Sequence, residues 1–533
     1  MNKITAYWND LKRFPKATPY ILGNEAAERF SFYGMKAILT TFLATTFYVH
    51  YGNSHAAANE TTHMFISAAY MFSVLGGLLA DWMIGKYKTI LWLSIVYVIG
   101  HLCLALFELN LNGFMFGLFL IALGSGGIKP CVSANVGDQF DASNKNLISK
   151  LYDIFYFSIN FGAFFSQLTI PYLKEHYGPA VAFGIPGVLM AIATVIFWMG
   201  RKRYNMVQPT GEHKKLAMKL LGLLGIYGVL RLLLWQQGME ATVVMGMQLS
   251  AWLIVAMLVV KLIDSYLYPT NVFLDVNLHA LLNLGKKKSD VGFLDSVKGM
   301  FPADRIDGFK EVWKVLVVFS FIPVFWALYD QNGSEWVLQA TQLDLNFMGR
   351  TWLAEQVQSI NAVLILVFVP VFSIFLYPMV NDWGIKVTPL RKIGMGFLLT
   401  CLSFVIIAWI QSQLDAGLKP NVGWQILAYV ILTAGEVMVS VTGLEYAYTQ
   451  APLSMKSTVM AFWLLTVSVG NYLVSSINSN IQNHGFFSQF DGASYYWLFC
   501  GVMAGTTVVY VFVTMMIKPK PTFATPSVID IHE

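Results

Sequence analysis

The sequence predicts an all-α membrane protein, and its composition and hydropathy pattern both support this fold class. Of the 533 residues, 56% are hydrophobic and only 12% are charged, whereas soluble domains carry about 25% charged residues. Apolar stretches recur along the chain, and each is long enough to cross a hydrocarbon core about 30 Å thick, which takes about 20 helical residues. The short alternating strands typical of a membrane β-barrel do not occur in the sequence.

The apolar stretches predict about fourteen transmembrane helices. Their approximate limits are 20–48, 61–83, 88–108, 113–135, 149–173, 180–200, 216–236, 246–268, 313–335, 354–380, 390–411, 422–449, 456–480 and 494–517. The first stretch contains charged residues, which the core of a removable signal peptide lacks, so we expect it to be retained as a span.

The distribution of positive charge predicts the orientation. Most of the 35 lysines and arginines lie in the termini and in the even-numbered loops, whereas the odd-numbered loops contain only Lys174, Arg350 and Lys419. Because positive residues accumulate on the cytoplasmic side, both termini are predicted to be cytoplasmic. The net charge of +5 therefore reflects membrane topology, and no nucleic-acid partner is expected.

The first span carries the densest group of ionisable residues, Glu25, Glu28, Arg29 and Lys36, together with Tyr33. Each such residue inside a span costs about 3 kcal/mol unless it has a partner or faces a hydrated cavity. At about 100° per residue, Glu25, Arg29 and Lys36 project within roughly 40° of one another. Acids and bases on one face can exchange partners, which a proton relay requires. The alternative is a static salt-bridge network that fixes helix packing.

The second span begins near His63, and Tyr70 follows two turns later. A histidine can change its charge near neutral pH, so His63 is a candidate proton sensor. A histidine that merely bonds a neighbouring hydroxyl group is the alternative. The four cysteines occur singly in apolar stretches, without metal-ligand spacing, and are interpreted as buried small hydrophobic residues.

The second span ends in the string Gly77-x3-Asp81-x3-Gly85-Lys86-x-Lys88 at a cytoplasmic turn. This string resembles the signature loop of the major facilitator superfamily. Asp81 can cap the next helix or pair with a basic residue, and the glycines permit a tight turn.

Small residues are concentrated in the fourth span, in the segment Gly124-Ser-Gly-Gly-Ile-Lys129-Pro. The segment lacks the ending of a phosphate-binding loop, so neither a nucleotide partner nor a cofactor is expected. Small residues allow close helix packing, which places Lys129 in the core. Tyr156 and Asn160 share a face of the fifth span, about 40° apart.

Further polar residues occur in the second half of the chain. Lys314 and Asp330 flank the ninth span, and Asn361 lies in the tenth. The twelfth span contains Glu436 and Glu445, which are nine residues apart and therefore point in roughly opposite directions.

Three segments together resemble the proton-coupled oligopeptide transporter (POT) family, and the likeness extends through nearly every span. They are Glu25-x-x-Glu28-Arg29-Phe-Ser-Phe-Tyr33-Gly, Phe155-Tyr-Phe-Ser-Ile-Asn160, and Gly-Leu-Glu445-Tyr-Ala-Tyr-Thr-Gln-Ala-Pro452. The resemblance implies a major facilitator fold and a proton-driven symporter that imports di- and tripeptides by alternating access. Because no large extracellular domain follows the eleventh span, a prokaryotic member in the bacterial inner membrane is expected.

The resemblance also implies a domain organisation. It consists of a cytoplasmic N-terminus (1–19), an N-terminal six-helix bundle (20–200), a linker with two additional spans at about 216–268 and a cytoplasmic loop (201–312), a C-terminal six-helix bundle (313–517) and a cytoplasmic tail (518–533).

Site residues follow from the same resemblance. The implied peptide-binding residues are Arg29, Tyr33, Lys36, Tyr70, Lys129, Tyr156, Asn160, Trp326, Tyr329, Asn361, Glu445 and Trp463. Proton coupling is implied for Glu25, Glu28, Arg29, His63 and Asp330, and gating for Lys36, Asp81, Lys314 and Asp330. Glu445 would hold the amino end of the peptide, while Arg29 and Lys129 would hold its carboxylate. A zwitterion about 7 Å long needs an acid and a base at opposite ends of one cavity.

Two positions depart from the family pattern. Lys36 stands where most relatives carry Arg. Lysine keeps the positive charge but lacks the guanidinium group that can form two parallel hydrogen bonds with a carboxylate. Ser373 stands where animal relatives carry an Asp that pairs with the base corresponding to Lys314, so Lys314 is expected to have another partner or to extend to the interface.

Other function classes fit the sequence less well. A transporter of the same fold with another substrate, such as nitrate or an amino-acid derivative, is the nearest alternative. A membrane enzyme would need a catalytic constellation, and neither a Ser/His/Asp set nor HExxH is found, so no enzymatic activity is expected. A sensor without transport would be favoured by a long soluble signalling domain. The expected partners are therefore peptides, protons and the lipid bilayer.

Overall fold

The structure is a computed structural model that describes residues 10–140, 144, 147–209, 273–283, 293–384, 386–450 and 456–517. These residues are almost entirely helical, and they include a single two-stranded hairpin, β1 (Asn346–Phe347) paired with β2 (Arg350–Thr351). The predicted additional spans at about 216–268, most of the linker and the tail after residue 517 lie outside the described residues.

Six long helices form the N-terminal half. They are α1 (Thr18–Phe42, continued by a π-helical turn at Leu43–Phe47), α2 (Ser54–Leu79, continued by a π-helical turn at Ala80–Ile84), α3 (Lys86–Leu106), α4 (Leu111–Gly137), α5 (Ile148–Tyr177) and α6 (Pro179–Met199, followed by a 3-10 turn at Gly200–Lys202). Gly85 separates α2 from α3 with a φ of 82°, a backbone conformation that favours glycine. The tight turn predicted for the signature string is therefore confirmed.

The C-terminal half is more often interrupted by short turns. Its elements are α7 (Phe273–Asn283), a 3-10 turn (Leu294–Val297), α8 (Ala303–Phe319), α9 (Ile322–Tyr329), a 3-10 turn (Asp330–Gly333), α10 (Glu335–Ala340), the hairpin, a 3-10 turn (Ala354–Gln356), α11 (Ser359–Val371), a π-helical turn (Phe372–Leu376), α12 (Tyr377–Asp382), α13 (Pro389–Asp415), α14 (Gly423–Glu436), a π-helical turn (Val437–Val441), α15 (Thr442–Gln450), α16 (Lys456–Gln482), a 3-10 turn (Phe486–Gln489) and α17 (Ala493–Met516). Helix α8 begins earlier than the predicted 313, because its polar first turns follow Pro302 and carry little hydropathy signal.

Each half has its own hydrophobic core. In the N-terminal core the rings of Phe42, Phe114 and Phe183 meet with centroids 5.1–5.2 Å apart. In the C-terminal core the rings of Trp336 and Tyr429 lie 5.0 Å apart. Two bundles, each with six membrane-crossing segments among the described residues, therefore match the architecture that the sequence implied.

Close helix packing in the N-terminal bundle depends on the small residues of α4. A Cβ atom at Gly126 would collide with the carbonyl oxygen of Ala69, and one at Gly76 would collide with the backbone of Gly127. Lipid offers helices little hydrophobic driving force to associate, so such backbone contact is a main source of packing energy. The packing role predicted for this segment is confirmed, and it fixes Lys129 one turn further along α4.

Polarity varies strongly among the spans. Eight of the described helical segments are long and apolar enough to cross a membrane by length and composition alone. The four other long segments, α1, α2, α5 and α16, are more polar. Intramembrane polar residues normally face a partner or a hydrated cavity. A functional site is therefore expected along these four helices.

Hydrogen bonds between the bundles cluster at one end of the molecule. They join α1, α2 and α5 to residues 330–358 and to α16. We call this the outer end, because the charge distribution predicts that it lies away from the cytoplasm. The two bundles are therefore held together on the outer side.

Candidate functional site

A buried cluster of acids and bases lies between α1 and α4. Glu28 Oε1 accepts hydrogen bonds from Ser125 Oγ at 2.6 Å and from Lys129 Nζ at 3.0 Å. Arg29 Nε lies 2.7 Å from Glu25 Oε1 and 3.4 Å from Glu28 Oε2. Two members of the predicted stripe, Glu25 and Arg29, are therefore paired, and Glu28, which is not a member of that stripe, joins the cluster through its partners on α4.

Glu28 is the centre of this cluster, since it contacts both basic groups. Lys129 Nζ also donates to Ser125 Oγ at 2.6 Å and lies 3.8 Å from the centroid of the Phe32 ring. Removing one partner from a buried charge cluster costs about 3–5 kcal/mol, because the remaining charge has no counter-ion. The balance among these groups can therefore change when a proton or an anionic ligand enters. Their predicted role in proton coupling stays a prediction.

A second polar network closes the outer side between the bundles. Lys36 Nζ lies 2.8 Å from Asp330 Oδ1, and Asn471 Nδ2 donates to Asp330 Oδ2 at 2.8 Å. His63 bonds Asn471 Oδ1 through Nδ1 and Ser334 Oγ through Nε2, each at 2.8 Å. The structure thus pairs two of the implied gating residues, Asp330 and Lys36, and the pair joins α1 to the end of α9.

The hydrogen-bond pattern defines the protonation of the His63 ring. Because the amide nitrogen of Asn471 donates to Asp330, its oxygen faces His63, so Nδ1 carries the proton. Nε2 faces Ser334 Oγ, which can also donate to the carbonyl oxygen of Gln331 at 3.5 Å. A proton on Nε2 would require Ser334 Oγ to accept the hydrogen bond from the ring.

We expect His63→Gln to change the pH dependence of the proton-driven uptake that the family resemblance implies, while leaving exchange of substrate across the membrane intact. Glutamine can bond both Asn471 and Ser334 but cannot titrate. The measurement is the initial rate of driven uptake and of exchange between about pH 5 and 8. An unchanged pH profile would indicate that His63 is a structural hydrogen-bonding residue.

Glu436, at the end of α14, forms the polar centre of the C-terminal bundle. Asn361 Nδ2 donates to Glu436 Oε2 at 2.8 Å and to Thr433 Oγ1 at 3.0 Å, and Tyr329 OH donates to Asn361 Oδ1 at 3.3 Å. The Glu436 carboxylate also interacts electrostatically with Tyr33 and Tyr156 of the N-terminal bundle. Glu436 therefore faces the space between the bundles.

The structure places Glu445 away from the contact between Asn361 and Glu436. Its side chain is 54% exposed and has Lys392 as its nearest basic group, at 3.9 Å. It lies in α15, beyond the π-helical turn Val437–Val441. The two glutamates point in different directions, as the spacing predicted, and Glu436 is the one that bonds Asn361. The assignment of Glu445 as the anchor of the peptide amino end is therefore wrong.

Three aromatic side chains form a group in the C-terminal bundle near Glu436, to which Tyr329 is linked through Asn361. The Trp326 ring lies 5.4 Å from Tyr329 and 6.2 Å from Trp463 by centroid distance. Trp326 Nε1 is buried without a hydrogen-bond partner, whereas most buried indole groups donate to one. The structure thus brings these three implied peptide-binding residues together, and their role in binding stays a prediction.

The other predicted cavity residues divide between buried and open positions. Tyr156 is 37% exposed and Asn160 is buried, with its amide donating to the Tyr156 carbonyl oxygen at 3.0 Å. Tyr33 and Tyr70 are half-buried. These four side chains extend the polar surface of the N-terminal bundle from the Glu28 cluster toward Glu436.

The remaining implied gating residues are Lys314 and Asp81. Both carboxylate oxygens of Glu311 lie 2.9 Å from Lys314 Nζ, so the alternative partner predicted for Lys314 exists. Ser373 bonds the carbonyl oxygen of Val369 and does not replace that partner. Asp81 lies in a π-helical turn. The structure does not describe its side chain, so its gating role stays a prediction.

Several site residues escaped sequence reasoning. Ser125, Ser334 and Asn471 are neutral, so a search for intramembrane charges does not find them. Depth in the membrane could have identified Glu436, since it lies in the middle of its predicted span whereas Glu445 lies near the cytoplasmic end.

Comparisons with known proteins agree with this geometry. The family model PTR2, described as the POT family, matches residues 87–498. The chain belongs to the POT family. Human solute carrier family 15 member 2 is 32% identical over 453 residues, covering 81% of this chain and 54% of that protein. Peptide transporter 3 of Caenorhabditis elegans is 34% identical over 78% of this chain and 53% of its own length. The chain therefore spans about half the length of these curated relatives.

Solved POT structures support the fold over nearly the whole chain. The crystal structure of an auto inhibited POT family peptide transporter has a TM-score of 0.78 and 34% identity, covering 96% of this chain and 99% of that one. The predicted major facilitator fold is thereby confirmed. Peptide transporter 3 and the protein of this crystal structure are both named as peptide transporters.

Proposed function

We propose that this protein is a proton-coupled symporter that imports di- and tripeptides by alternating access. The observation that carries the proposal is the placement of an acid in one bundle and of two bases in the other. Glu436 belongs to the C-terminal bundle, whereas Arg29 and Lys129 belong to the N-terminal bundle. A short zwitterion with charges about 7 Å apart is the class of ligand that satisfies both sides. The printed names of the relatives include peptide transporters.

Each end of the peptide has identifiable partners. The α-ammonium group would bind Glu436, with Asn361 and Tyr329 holding the carboxylate in place. The peptide carboxylate would bind Arg29 and Lys129, which now share Glu28 and Glu25. Contacts to the termini leave side-chain identity loosely specified. The aromatic group around Trp326 would accept varied side chains.

Proton coupling follows from competition within the Glu28 cluster. In the structure Lys129 is paired with Glu28, so an incoming peptide carboxylate must compete for it. Protonation of Glu28 removes that competition and frees Lys129 for the peptide. Proton and peptide then favour the same arrangement, which is the thermodynamic requirement for symport.

We also propose that the protein is of prokaryotic type and resides in the bacterial inner membrane. The support is the short connection between α13 and α14, residues 416–422, which leaves no room for a large extracellular domain. The curated relatives named above come from animals, so their membrane gives no support for the bacterial location.

We expect vesicles containing the purified protein to accumulate labelled dialanine when the outside is acidic. The inward proton gradient supplies the driving force, and a protonophore should abolish accumulation above equilibrium. The measurement is time-resolved uptake together with peptide-dependent proton influx. Uptake no greater than in empty vesicles across several dipeptides would contradict the proposed function.

A further inference from the structure

A compact polar contact joins the bundles on a flank of the outer side away from the Asp330 network. Lys174 Nζ lies 2.5 Å from Glu355 Oε1 and 3.1 Å from Thr41 Oγ1. Thr41 Oγ1 in turn donates to Glu355 Oε1 at 2.8 Å. The side chains of Lys174 and Glu355 are only 20% and 11% exposed. Three helical elements thus meet at one carboxylate oxygen, and we call these three residues the outer latch.

The segment that carries Glu355 is docked on the N-terminal bundle by further bonds. Gln356 Nε2 donates to the carbonyl oxygen of Leu168 in α5 at 2.9 Å. Gln358 Nε2 donates to the carbonyl oxygen of Ala37 in α1 at 3.3 Å. Both glutamine side chains belong to buried residues. Hydrogen bonds from polar side chains therefore hold the start of the tenth predicted span against α1 and α5.

We propose that the outer latch is a second gate, which sets how readily the outer side of the cavity opens. The inference rests on the alternating-access cycle of the proposed function, because the latch must break whenever the outer side opens. Opening separates Glu355 from both Lys174 and Thr41. A half-buried charge that loses its partner is destabilised, so the latch favours the closed arrangement.

The latch contacts α1 on a different face from the Asp330 network. Lys36 and Thr41 both lie in α1, but five residues at about 100° each place them roughly 140° apart around the helix. Lys36 contacts Asp330, whereas Thr41 contacts the start of the α11 segment. Helix α1 is thus attached to the C-terminal bundle on two faces, so opening of the outer side requires both contacts to break.

Distances between spin labels test the latch directly. Tyr177, at the end of α5, and Met348, in the hairpin, are 64% and 90% exposed and belong to different bundles. Tyr177→Cys and Met348→Cys would carry the labels in a variant whose four native cysteines are replaced by serine. Double electron–electron resonance then reports the populations with a closed and an open outer side, without needing cargo.

We expect Glu355→Gln and Lys174→Gln each to raise the ratio of open to closed populations about tenfold, equivalent to about 1.4 kcal/mol. Thr41→Val should shift the ratio in the same direction by less. The charge exchange Lys174→Glu with Glu355→Lys should restore the ratio to within about threefold of the parent, because the pair forms again with its polarity reversed.

A matched control is Asp295→Asn, which removes a carboxylate that is bound by Lys298 and Lys310 in the cytoplasmic linker. It should leave the distance distribution unchanged. Unaltered distances in both single latch variants, or an exchange variant more open than either single variant, would overturn the latch. If the distances shift as expected but dialanine is not transported, the result supports the latch and contradicts the proposed function.

Discussion

Glu436→Gln is expected to reduce uptake of free-amine dipeptides by at least about 100-fold while reducing that of N-acetylated dipeptides by less than about fivefold. The peptide α-ammonium group would lose the carboxylate that is proposed to bind it. A buried charge left without its partner costs about 3–5 kcal/mol. Glutamine preserves the size of the side chain and can still bond Asn361, so the packing of α14 against α11 is retained. The measurement is competition of each peptide against labelled dialanine in the vesicle assay.

The matched control is Glu445→Gln, in the helix that follows. Its carboxylate is 54% exposed and faces Lys392, so we expect a change of less than about twofold, as for exposed ion pairs. Equal losses for both classes of peptide in Glu436→Gln would show that Glu436 supports the fold of the site instead of binding the amino group. A larger effect at Glu445 than at Glu436 would contradict the arrangement seen in the structure.

The difference between these two glutamates shows where sequence reasoning succeeded and where it failed. Hydropathy predicted the spans because each apolar stretch is as long as the bilayer is thick. Helical periodicity correctly separated the directions of Glu436 and Glu445. Neither property reveals which direction faces the opposite bundle, because this depends on how α14 packs against α11 and α13. The π-helical turn Val437–Val441 changes the helical phase further and has no sequence signature.

Contacts within one helix were predicted better than contacts between helices. The Glu25–Arg29 pair follows from a spacing of four residues. The contact of Glu28 with Lys129 needs α1 and α4 to meet at one depth, and the residue numbers alone do not show this. The outer latch has the same character, because Thr41, Lys174 and Glu355 are far apart in sequence. Polar interfaces of this kind become visible only when the bundle is assembled.

Glu28→Gln is expected to abolish proton-driven accumulation while retaining exchange of peptide at a rate within about tenfold of the parent protein. Glutamine mimics the protonated carboxylate, since it keeps an oxygen that can accept from Ser125 and removes the negative charge. Lys129 is then permanently released from its acid partner and stays available to the peptide carboxylate. Binding therefore no longer depends on a proton. The measurement compares gradient-driven uptake with counterflow in the same vesicles.

Lys129→Gln separates this coupling role from a structural one. It removes the base and leaves Glu28 with Ser125 and Arg29, so we expect both driven uptake and exchange to fall, because the peptide carboxylate loses a partner. A purely structural salt bridge would give the same loss in both variants, since either substitution breaks the Glu28–Lys129 contact. Retained exchange in Glu28→Gln beside lost exchange in Lys129→Gln would therefore assign the proton to the acid and the peptide carboxylate to the base. Proton-driven accumulation that persists in Glu28→Gln would show that the proton binds at another residue. Asp330 is the next carboxylate to test, because it contacts Lys36 directly and His63 through Asn471.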